Sequence, residues 1–341
     1  MKQKTVLITG ATGFIGSHLA KKLVEKKKKI RCLVRTSSPK ITVDYLSKLN
    51  VELVYGDLLD NKSLRKAVEG VDTIFHLGGG GRVGMSKAIC NKINVDGTRN
   101  ILEACIESSK VKRFIHLSSC AVMEHVSGVA VDETYPYNPN DIEYSRAKTK
   151  SEKLALSYSN KIDIVVVRFP GVYGIPLIKG DADYIQGVTP ALMIFSAVKK
   201  GKWMYIGNGK NQVHMFYVDD AVKGLILATD KGKSGDIYII GDNTSVKMTE
   251  LVEIVADILK VPAPKRHIPV FVANFFAALF ELKVSVFGGT PKMSREMVTG
   301  FISNMSFSIA KAKCELKYEP KVGLEEGMRR TIEWYEENEY V

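Results

Sequence analysis

The chain has 341 residues, of which 45% are hydrophobic and 25% are charged, and its net charge is +12. These values are typical of a globular protein with about two domains, and the chain is long enough to bury a sizeable core. Its densest basic run, residues 26–29, falls where the first helix should end, and no nucleic-acid-binding module is visible. We therefore expect a solvated basic surface and no nucleic-acid partner, with attraction to anionic lipid or an acidic ligand as the alternative.

The first predicted strand, Thr5–Thr9, is followed by a glycine-rich turn and a helix. Glycine recurs at every third position, in the pattern G-x-x-G-x-x-G. Such a turn lets the backbone approach a pyrophosphate closely, and the N–H groups at the start of the helix meet its negative charge. A tight turn with only a structural role is the alternative. The pattern predicts a dinucleotide site formed by Gly10, Thr12, Gly13, Phe14, Ile15 and Gly16.

Strands and helices alternate along the first half of the chain. Alternation at this spacing predicts an α/β protein with a Rossmann-type, doubly wound parallel sheet, which binds ligands at the carboxyl ends of its strands. The predicted strands after the first are Ile30–Val34, Val51–Tyr55, Thr73–Leu77, Arg113–Leu117 and Ile164–Arg168, and the predicted helices are Lys62–Val68, a long helix through Asn94–Thr98, and Glu143–Tyr158.

The alternation loosens after Pro176, where we predict a smaller C-terminal substrate lobe. We divide the chain into a dinucleotide-binding domain, residues 1–175, and a substrate-binding lobe, residues 176–341, which should interleave partly with the sheet. The lobe should contain helices near Thr189–Lys200, Asp219–Thr229, Thr249–Leu259, Arg295–Ile302 and Leu324–Tyr335, and short strands near Trp203–Ile206 and Asp236–Ile240.

One apolar segment, residues 268–287, stands apart from these elements. Its uninterrupted apolar part is shorter than the roughly 20 residues that span a bilayer. Phe271, Phe275, Phe276 and Leu279 fall on one helical face. The segment is consistent with a buried lobe helix, with an interfacial helix in peripheral contact with a membrane, or with an apolar wall of the substrate site.

Tyr144 and Lys148 are four residues apart and therefore lie one turn apart on one helix face. A tyrosine with a pKa of about 10 is a poor base at neutral pH. A neighbouring lysine and an oxidised nicotinamide both favour the phenolate, so we expect this pKa to be lowered. The strand before this helix delivers Ser118 and Ser119. The arrangement predicts a catalytic pair, with an ordinary surface Tyr–Lys pair as the alternative.

These motifs together resemble the extended short-chain dehydrogenase/reductases, within the NAD-dependent epimerase/dehydratase superfamily. The resemblance implies hydride transfer between a nicotinamide cofactor and a secondary alcohol or ketone. It makes Tyr144 the residue that takes the hydroxyl proton in the oxidative direction, with Lys148 keeping the phenol ionised. Ser119, with Ser118 as the alternative, would hold the substrate oxygen, and Asn94 would support the lysine through water.

The same resemblance assigns further contacts with the cofactor. Asp57 and Leu58 would contact adenine, and Pro170 would lie in the turn beside the nicotinamide, which here contains an extra Phe169. The strand end at Leu77, Gly78 and Gly79 has glycines where the family usually has alanines, so contact would run through the backbone of a looser loop.

Arg35 ends the second predicted strand, at the position that selects between the two nicotinamide cofactors. An acidic residue there would bind the ribose 2′-hydroxyl of NAD, whereas a cation would bind the 2′-phosphate of NADP. We therefore predict NADP, with NAD beside a solvated arginine as the alternative.

The second half bears on the substrate. Sugar-nucleotide members carry an arginine where this chain has Val213, so a diphosphate would lose its main counter-charge, although Lys210 could partly substitute. Residues 206–219 resemble instead the 3β-hydroxysteroid dehydrogenase group, which includes sterol-4α-carboxylate 3-dehydrogenases, with His214 replacing an aspartate. We expect a small, apolar, ring-bearing 3β-hydroxy substrate. A nucleotide-sugar epimerase or dehydratase and a non-catalytic dinucleotide sensor remain alternatives.

The five cysteines are scattered and form no C-x-x-C pair, and no cluster has metal-ligand spacing. Free thiols in a reducing compartment, without a bound metal, fit this pattern. The first apolar stretch has five residues and ends in glycine, which does not fit a signal peptide. We therefore expect a cytoplasmic protein, possible membrane association through residues 268–287, and, as the resemblance implies, a homodimer through two long helices.

Overall fold

A computed structural model describes residues 4–80, 85–124, 129–179, 189–289, 291 and 293–341. The strands within these ranges are β1 (Thr5–Thr9), β2 (Lys29–Val34), β3 (Glu52–Tyr55), β4 (Thr73–His76), β5 (Arg113–Ser119), β6 (Asp163–Phe169), β7 (Gly171–Tyr173), β8 (Tyr205–Ile206), β9 (Gln212–Val213), β10 (Met215–Tyr217), β11 (Ile237–Ile239), β12 (Val246–Lys247) and β13 (His267–Ile268).

The helices are α1 (Phe14–Glu25), α2 (Lys40–Lys48), α3 (Asn61–Val68), α4 (Lys87–Asn91), α5 (Gly97–Ser108), α6 (Glu143–Leu156), α7 (Thr189–Lys199), α8 (Val218–Lys231), α9 (Met248–Leu259), α10 (Val270–Phe287), α11 (Arg295–Ile302) and α12 (Leu324–Glu337). A π-helical turn, Lys92–Asp96, joins α4 to α5, and a second one spans Ala312–Leu316.

Seven parallel strands form the central sheet, in the order β11-β6-β5-β4-β1-β2-β3. Helices cover both faces, which explains why the strands are apolar on both sides. Leu7 and Phe114 pack with α3 and α5 on one face, whereas Ile8 and Phe75 pack with α1 and α8 on the other. The predicted doubly wound parallel sheet is confirmed.

The sheet also takes a strand from the second half of the chain. We predicted a short lobe strand near Asp236–Ile240, but β11 pairs with β6 and extends the main sheet. Glu133 covers this edge by accepting the N–H of Ile239 at 2.8 Å. The second half therefore contributes to the dinucleotide-binding half, and the division after residue 175 stays a prediction.

The remaining second half forms its own core around α7, α9 and α12. Buried tyrosines, including Tyr173 and Tyr217, join this core to the sheet. Asp220 fixes the C-terminal segment, because its carboxylate accepts the N–H groups of Lys321 and Val322 at 2.8 and 2.9 Å. Three small strand pairs, β7 with β10, β8 with β13 and β9 with β12, complete the lobe.

Several element boundaries differ from the prediction. The sequence did not indicate α2, whose first turn is rich in β-branched residues and which buries only Thr42 and Leu46. The predicted strand Thr73–Leu77 ends one residue earlier, and the predicted helix Glu143–Tyr158 ends at Leu156. The strand predicted near Trp203–Ile206 is confined to its last two residues.

Helix α10 has a solvent-facing apolar surface. In the described part of the chain it is the one helix that is long and apolar enough to cross a membrane, with a mean hydropathy of 1.8, and 11% of its residues are buried. Its buried residues are Ala273 and Ala277, whereas Phe271 and Phe275 are 76% and 61% exposed. A buried lobe helix is therefore the wrong interpretation, because the two alanines, and not the phenylalanines, face the protein.

Candidate active site

The turn after β1 can pack closely against the end of β4 and against α1 only because it is built from glycine. Gly10 has a φ of +73°, and a Cβ there would lie 2.8 Å from the backbone nitrogen of Gly78. A Cβ at Gly16 would lie 2.1 Å from the carbonyl oxygen of Gly10. Gly13 is the N-cap of α1, and no side chain caps this helix. The first N–H groups of α1 therefore remain available to a pyrophosphate, so the turn fits a dinucleotide.

The other residues predicted in this turn, Thr12, Phe14 and Ile15, are partly exposed. The ring of Phe14 meets the ring of His18 edge-on, with 5.2 Å between the ring centres, and Ile15 packs against the main core. Both apolar side chains thus hold α1 in position, and their backbone lies in the first turn. Any contact with a cofactor would come from that backbone.

A hydrogen-bonded chain fixes the end of β4 next to this turn. Thr9 Oγ1 lies 2.8 Å from His76 Nδ1, and His76 Nε2 lies 3.0 Å from Thr98 Oγ1. Thr9 Oγ1 also accepts the N–H of Gly78 at 3.0 Å. Burial lowers the pKa of His76 to about 3, so the ring is neutral at neutral pH. His76 therefore joins β1, β4 and α5 without adding charge.

Leu58, which was predicted to contact adenine, is held in place by two neighbouring glycines. Leu58 lies against Gly78 and Gly97, where added Cβ atoms would come within 2.9 and 3.0 Å of its side chain. The carbonyl of Leu58 accepts a hydrogen bond from Asn100 at 2.9 Å. Asp57 uses its carboxylate to accept the N–H of Leu59 at 2.9 Å, which shapes the loop after β3. This packing role of Gly97 was not evident from the sequence.

Arg35 lies at the carboxyl end of β2 and is exposed. Its backbone N–H donates to Ser38 Oγ at 3.2 Å. Across the residues that the structure describes, its guanidinium makes no hydrogen bond or ion pair. The side chain is therefore available to an anionic ligand at the sheet edge where the glycine turn also lies.

Ser119, Tyr144 and Lys148 meet between β5 and α6. The hydroxyl of Ser119 lies next to the phenol of Tyr144 and favours its ionised form. The ammonium of Lys148 donates to the carbonyl of Leu117 at 2.8 Å and lies 5.9 Å from the centre of the Tyr144 ring. Ser118 points to the opposite face of the strand and is bonded to Glu152. The structure therefore places Ser119, and not Ser118, beside the phenol.

The ionisation of this pair differs from the expectation. Burial raises the pKa of Tyr144 to about 12, although the neighbouring hydroxyl of Ser119 acts in the opposite direction. Burial also lowers the pKa of Lys148 to about 8, against the attraction of Glu152. The lowering of the tyrosine pKa was expected with the lysine and an oxidised nicotinamide together; in the protein by itself this pKa is raised, because the loss of hydration is the largest effect. At neutral pH the phenol keeps its proton.

Asn94 is held at the π-helical turn between α4 and α5. Its amide donates to the carbonyls of Gly80 and Cys90 at 2.8 and 2.9 Å, and its oxygen accepts the N–H of Gly80 at 3.1 Å. A Cβ on Gly79 would lie 2.8 Å from that oxygen and 3.6 Å from the ammonium of Lys148. Gly79 thus brings the β4 loop over Asn94 and Lys148, a contact that an alanine would block.

A buried ion pair beneath the site was missed by the sequence analysis. Glu152 and Arg168 are 0% and 1% exposed, and Nη2 of the arginine lies 2.6 Å from Oε1 of the glutamate. The same carboxylate accepts hydrogen bonds from Ser118 and, at 2.8 Å, from Tyr137. The signal was present in the sequence, because Glu152 continues the four-residue spacing of Tyr144 and Lys148. This pair locks α6 to β5 and β6.

The substrate lobe meets the site after β6. Pro170 joins β6 to β7 and packs against Gly241. Val213 is 4% exposed and pairs with Val246 across β9 and β12, whereas Lys210 is exposed. The roles assigned to Pro170, Lys210 and Val213 remain predictions. Because Val213 carries no charge, its side chain offers no counter-charge to a diphosphate.

His214, next along the chain, is fully buried and joins two segments of the lobe. Its Nδ1 accepts the N–H of Phe307 at 3.2 Å, so Nε2 carries the proton and donates to the carbonyl of Asp242 at 3.0 Å. Burial lowers its pKa to about 4. The ring is therefore neutral and its hydrogen bonds are structural.

Comparison with known proteins agrees with this geometry. Residues 6–241 match the model of the NAD dependent epimerase/dehydratase family. The chain is 27% identical over 337 residues to a 2-alkyl-3-oxoalkanoate reductase from Stenotrophomonas maltophilia, covering 95% of this chain and 97% of that protein. It is 25% identical over 346 residues to the decarboxylating sterol-4-alpha-carboxylate 3-dehydrogenase of Mus musculus, covering 97% and 91%.

A solved structure is similar over nearly the whole chain. The UDP-glucose 4-epimerase of Thermotoga maritima, crystallised with UDP-glucose, has a TM-score of 0.78 and 25% sequence identity. The match covers 98% of this chain and 99% of that one. The similar proteins therefore include enzymes named for sterols, for oxoalkanoates and for a nucleotide sugar.

Proposed function

Because the chain belongs to the NAD dependent epimerase/dehydratase family, and is an oxidoreductase of its extended short-chain type, we propose that it interconverts a secondary alcohol and a ketone on an apolar ring. A 3β-hydroxysteroid-like compound is the substrate class we favour. The observation that carries the proposal is the position of Ser119 next to the phenol of Tyr144, one helical turn from Lys148, whose ammonium lies next to the β4 loop that packs on the glycine turn.

The ionisation of the pair suits ketone reduction. When bound, the reduced nicotinamide supplies the hydride that the carbonyl carbon receives. Tyr144 holds its proton because its pKa is about 12, and it can donate that proton to the carbonyl oxygen. Ser119 can donate a hydrogen bond to the same oxygen. The ammonium of Lys148 stabilises the resulting phenolate until a proton from solvent restores the phenol. One hydride and one proton thus convert the ketone into an alcohol.

The lobe favours an apolar substrate over a sugar nucleotide. Val213 is buried against Val246, and its neighbour His214 is neutral and bonded within the protein. Neither residue can balance a diphosphate. A nucleoside diphosphate sugar would have to rely on exposed side chains such as Lys210, whose attraction is screened by water.

Substrate turnover by the full chain tests the proposal. The absorbance of the reduced nicotinamide is followed with a panel of 3-ketosteroids, short alkyl ketones, and UDP- and dTDP-sugars, with Tyr144→Phe as the control. We expect net oxidation of the cofactor with the ring ketones and little with the alkyl ketones. A UDP- or dTDP-sugar that stays bound through purification and epimerises without net cofactor turnover would show that the sugar-nucleotide alternative is correct.

We also propose that NADP is the preferred cofactor. The support is Arg35, which is exposed at the carboxyl end of β2 and keeps its guanidinium unpaired within the described ranges. Titration should give a lower Kd for NADPH than for NADH. Arg35→Ala should raise the NADPH value about tenfold and leave the NADH value unchanged. Tighter NADH binding that does not respond to Arg35→Ala would refute the preference.

A further inference from the structure

Helix α10 displays an unusual apolar surface. Phe271, Phe275, Leu279, Leu282 and Val286 follow one another at spacings of four, four, three and four residues, which places them on one face. All five are between 45% and 76% exposed. Scattered exposed apolar residues are ordinary, but a continuous stripe of this kind marks a surface that contacts an apolar partner.

The stripe is widened by two further aromatic side chains and is bordered by cations. Phe276 and Phe287 are 45% and 79% exposed on one flank. Lys283 lies on the same side of the helix, and Lys265 and Arg266 precede the helix, separated from it by β13; all three are exposed. Apolar side chains that lie exposed next to basic residues favour contact with an anionic membrane surface, because burial of apolar area in the lipid and attraction to the headgroups add together.

No unpaired negative charge on α10 opposes such contact. The one carboxylate in its sequence, Glu281, is bound by Arg295 of α11, with Nε 2.8 Å from Oε2, and also accepts the Arg295 N–H at 2.8 Å. The whole chain carries a net charge of +12, which attracts an anionic surface and repels a second copy. We therefore propose that α10 docks the protein on an anionic phospholipid bilayer.

The helix lies along the bilayer surface and does not cross it. Ala273 and Ala277 are fully buried and pack with Val298 of α11, so one face is committed to the protein. The chain just before α10 is tied to the lobe, because β13 pairs with β8. A spanning helix could not keep these contacts. At about 1.5 Å per residue, the 18 residues present an apolar face about 27 Å long to the lipid.

Vesicle flotation with the full chain tests this surface, independently of any substrate. The vesicles contain phosphatidylcholine with or without phosphatidylglycerol, and the double variant Phe275→Asp, Leu282→Asp is compared with wild type. Both side chains are 61% exposed, so the fold should tolerate the change. We expect wild type to float with the anionic vesicles and the double variant to bind at least about 100-fold more weakly.

The matched control is Ile41→Asp, Tyr55→Asp. It adds the same two negative charges at exposed apolar positions on α2 and on β3, which is an edge strand of the central sheet. It should float as wild type does. If both double variants lost vesicle binding equally, net charge alone would explain the effect, and the proposed role of the α10 face would be overturned. Wild-type protein that stays out of the anionic vesicle fraction would overturn the proposal outright.

Two further measurements distinguish the occupant and the geometry. Sedimentation without vesicles should show the same oligomeric state for wild type and Phe275→Asp, Leu282→Asp, whereas a wild-type dimer that the variant converts to monomer would assign the face to a second copy. In Phe275→Trp, the added fluorescence should be quenched by shallow brominated lipids, as expected at a depth of about 5–10 Å. Quenching by bromine at the bilayer centre alone would contradict the in-plane arrangement.

Discussion

Phe114 in β5 and Phe275 in α10 are the same side chain in opposite surroundings. Phe114 is fully buried between the sheet and its helices, whereas Phe275 is 61% exposed. Both residues belong to apolar stretches of the sequence, and the sequence alone does not tell which of the two is buried. The difference shows that apolar residues near the catalytic pair build its framework, while those on α10 are held away from the core by Ala273 and Ala277.

The largest contrast should appear when each phenylalanine is shortened. Phe114→Ala should lower the free energy of unfolding by about 3–5 kcal/mol, because it removes buried apolar area and leaves a cavity. Phe275→Ala should change it by no more than about 0.5 kcal/mol. Urea unfolding of both variants measures the difference. Similar losses would show that α10 is packed against the protein in solution, contrary to its exposure here.

A second contrast compares two ion pairs of the same chemistry. Glu152→Leu should cost about 3–5 kcal/mol of stability, because it leaves the guanidinium of Arg168 buried without its partner. Glu281→Leu should cost no more than about 1 kcal/mol, because Arg295 is 66% exposed and can return to water. Thermal unfolding checks both values, and Glu152→Gln, which keeps the shape but only one of the two accepting oxygens, serves as an intermediate case. Equal losses of stability in the two variants would mean that burial does not determine how much each ion pair contributes to the free energy of unfolding.

The last contrast concerns pH. Burial lowers the pKa of His214 to about 4, so between about pH 6.5 and that value the unfolded chain binds a proton that the folded chain does not. The free energy of unfolding should therefore fall as the pH falls through this range, by about 1.4 kcal/mol per pH unit for each such histidine. His18 and His76 act in the same direction, whereas α10 contains no histidine.

Urea unfolding at several pH values measures this slope. In His214→Gln, which keeps a donor and an acceptor at the position, the slope should be smaller by the contribution of one histidine. A slope identical to that of wild type would mean that His214 titrates normally in the folded protein. Acid should thus lower the free energy of unfolding through the buried histidines, to which α10 contributes none.

The regularity of the first half made its fold predictable. Apolar runs at the spacing of β-α units fix a parallel sheet, and the glycine pattern at Gly10, Gly13 and Gly16 predicts a turn whose shape the structure reproduces. The four-residue spacing of Tyr144 and Lys148 likewise placed them on one face of α6. Local patterns of this kind depend on few contacts distant in sequence.

What the sequence did not reveal depends on such distant contacts. The tyrosine pKa was expected to fall, but the burial that raises it depends on neighbours distant in sequence, among them Cys90, Ser119 and Cys120. The pairing of β11 with β6 joins residues about 70 positions apart, and its few residues give no local sign of the partner. For α10, apolar content suggested burial, and only the packing of its alanines against α11 shows which side faces solvent.

The central claim is that Tyr144, with Ser119 beside it, supplies the proton at the dinucleotide site. The most direct measurement is the single-turnover rate of ketone reduction by the preformed complex with the reduced cofactor, in wild type and in Tyr144→Phe. The rate should fall about 10²–10⁴-fold in the variant, while the Kd for the cofactor stays unchanged. A rate within about twofold of wild type, with the cofactor fully bound, would contradict the account.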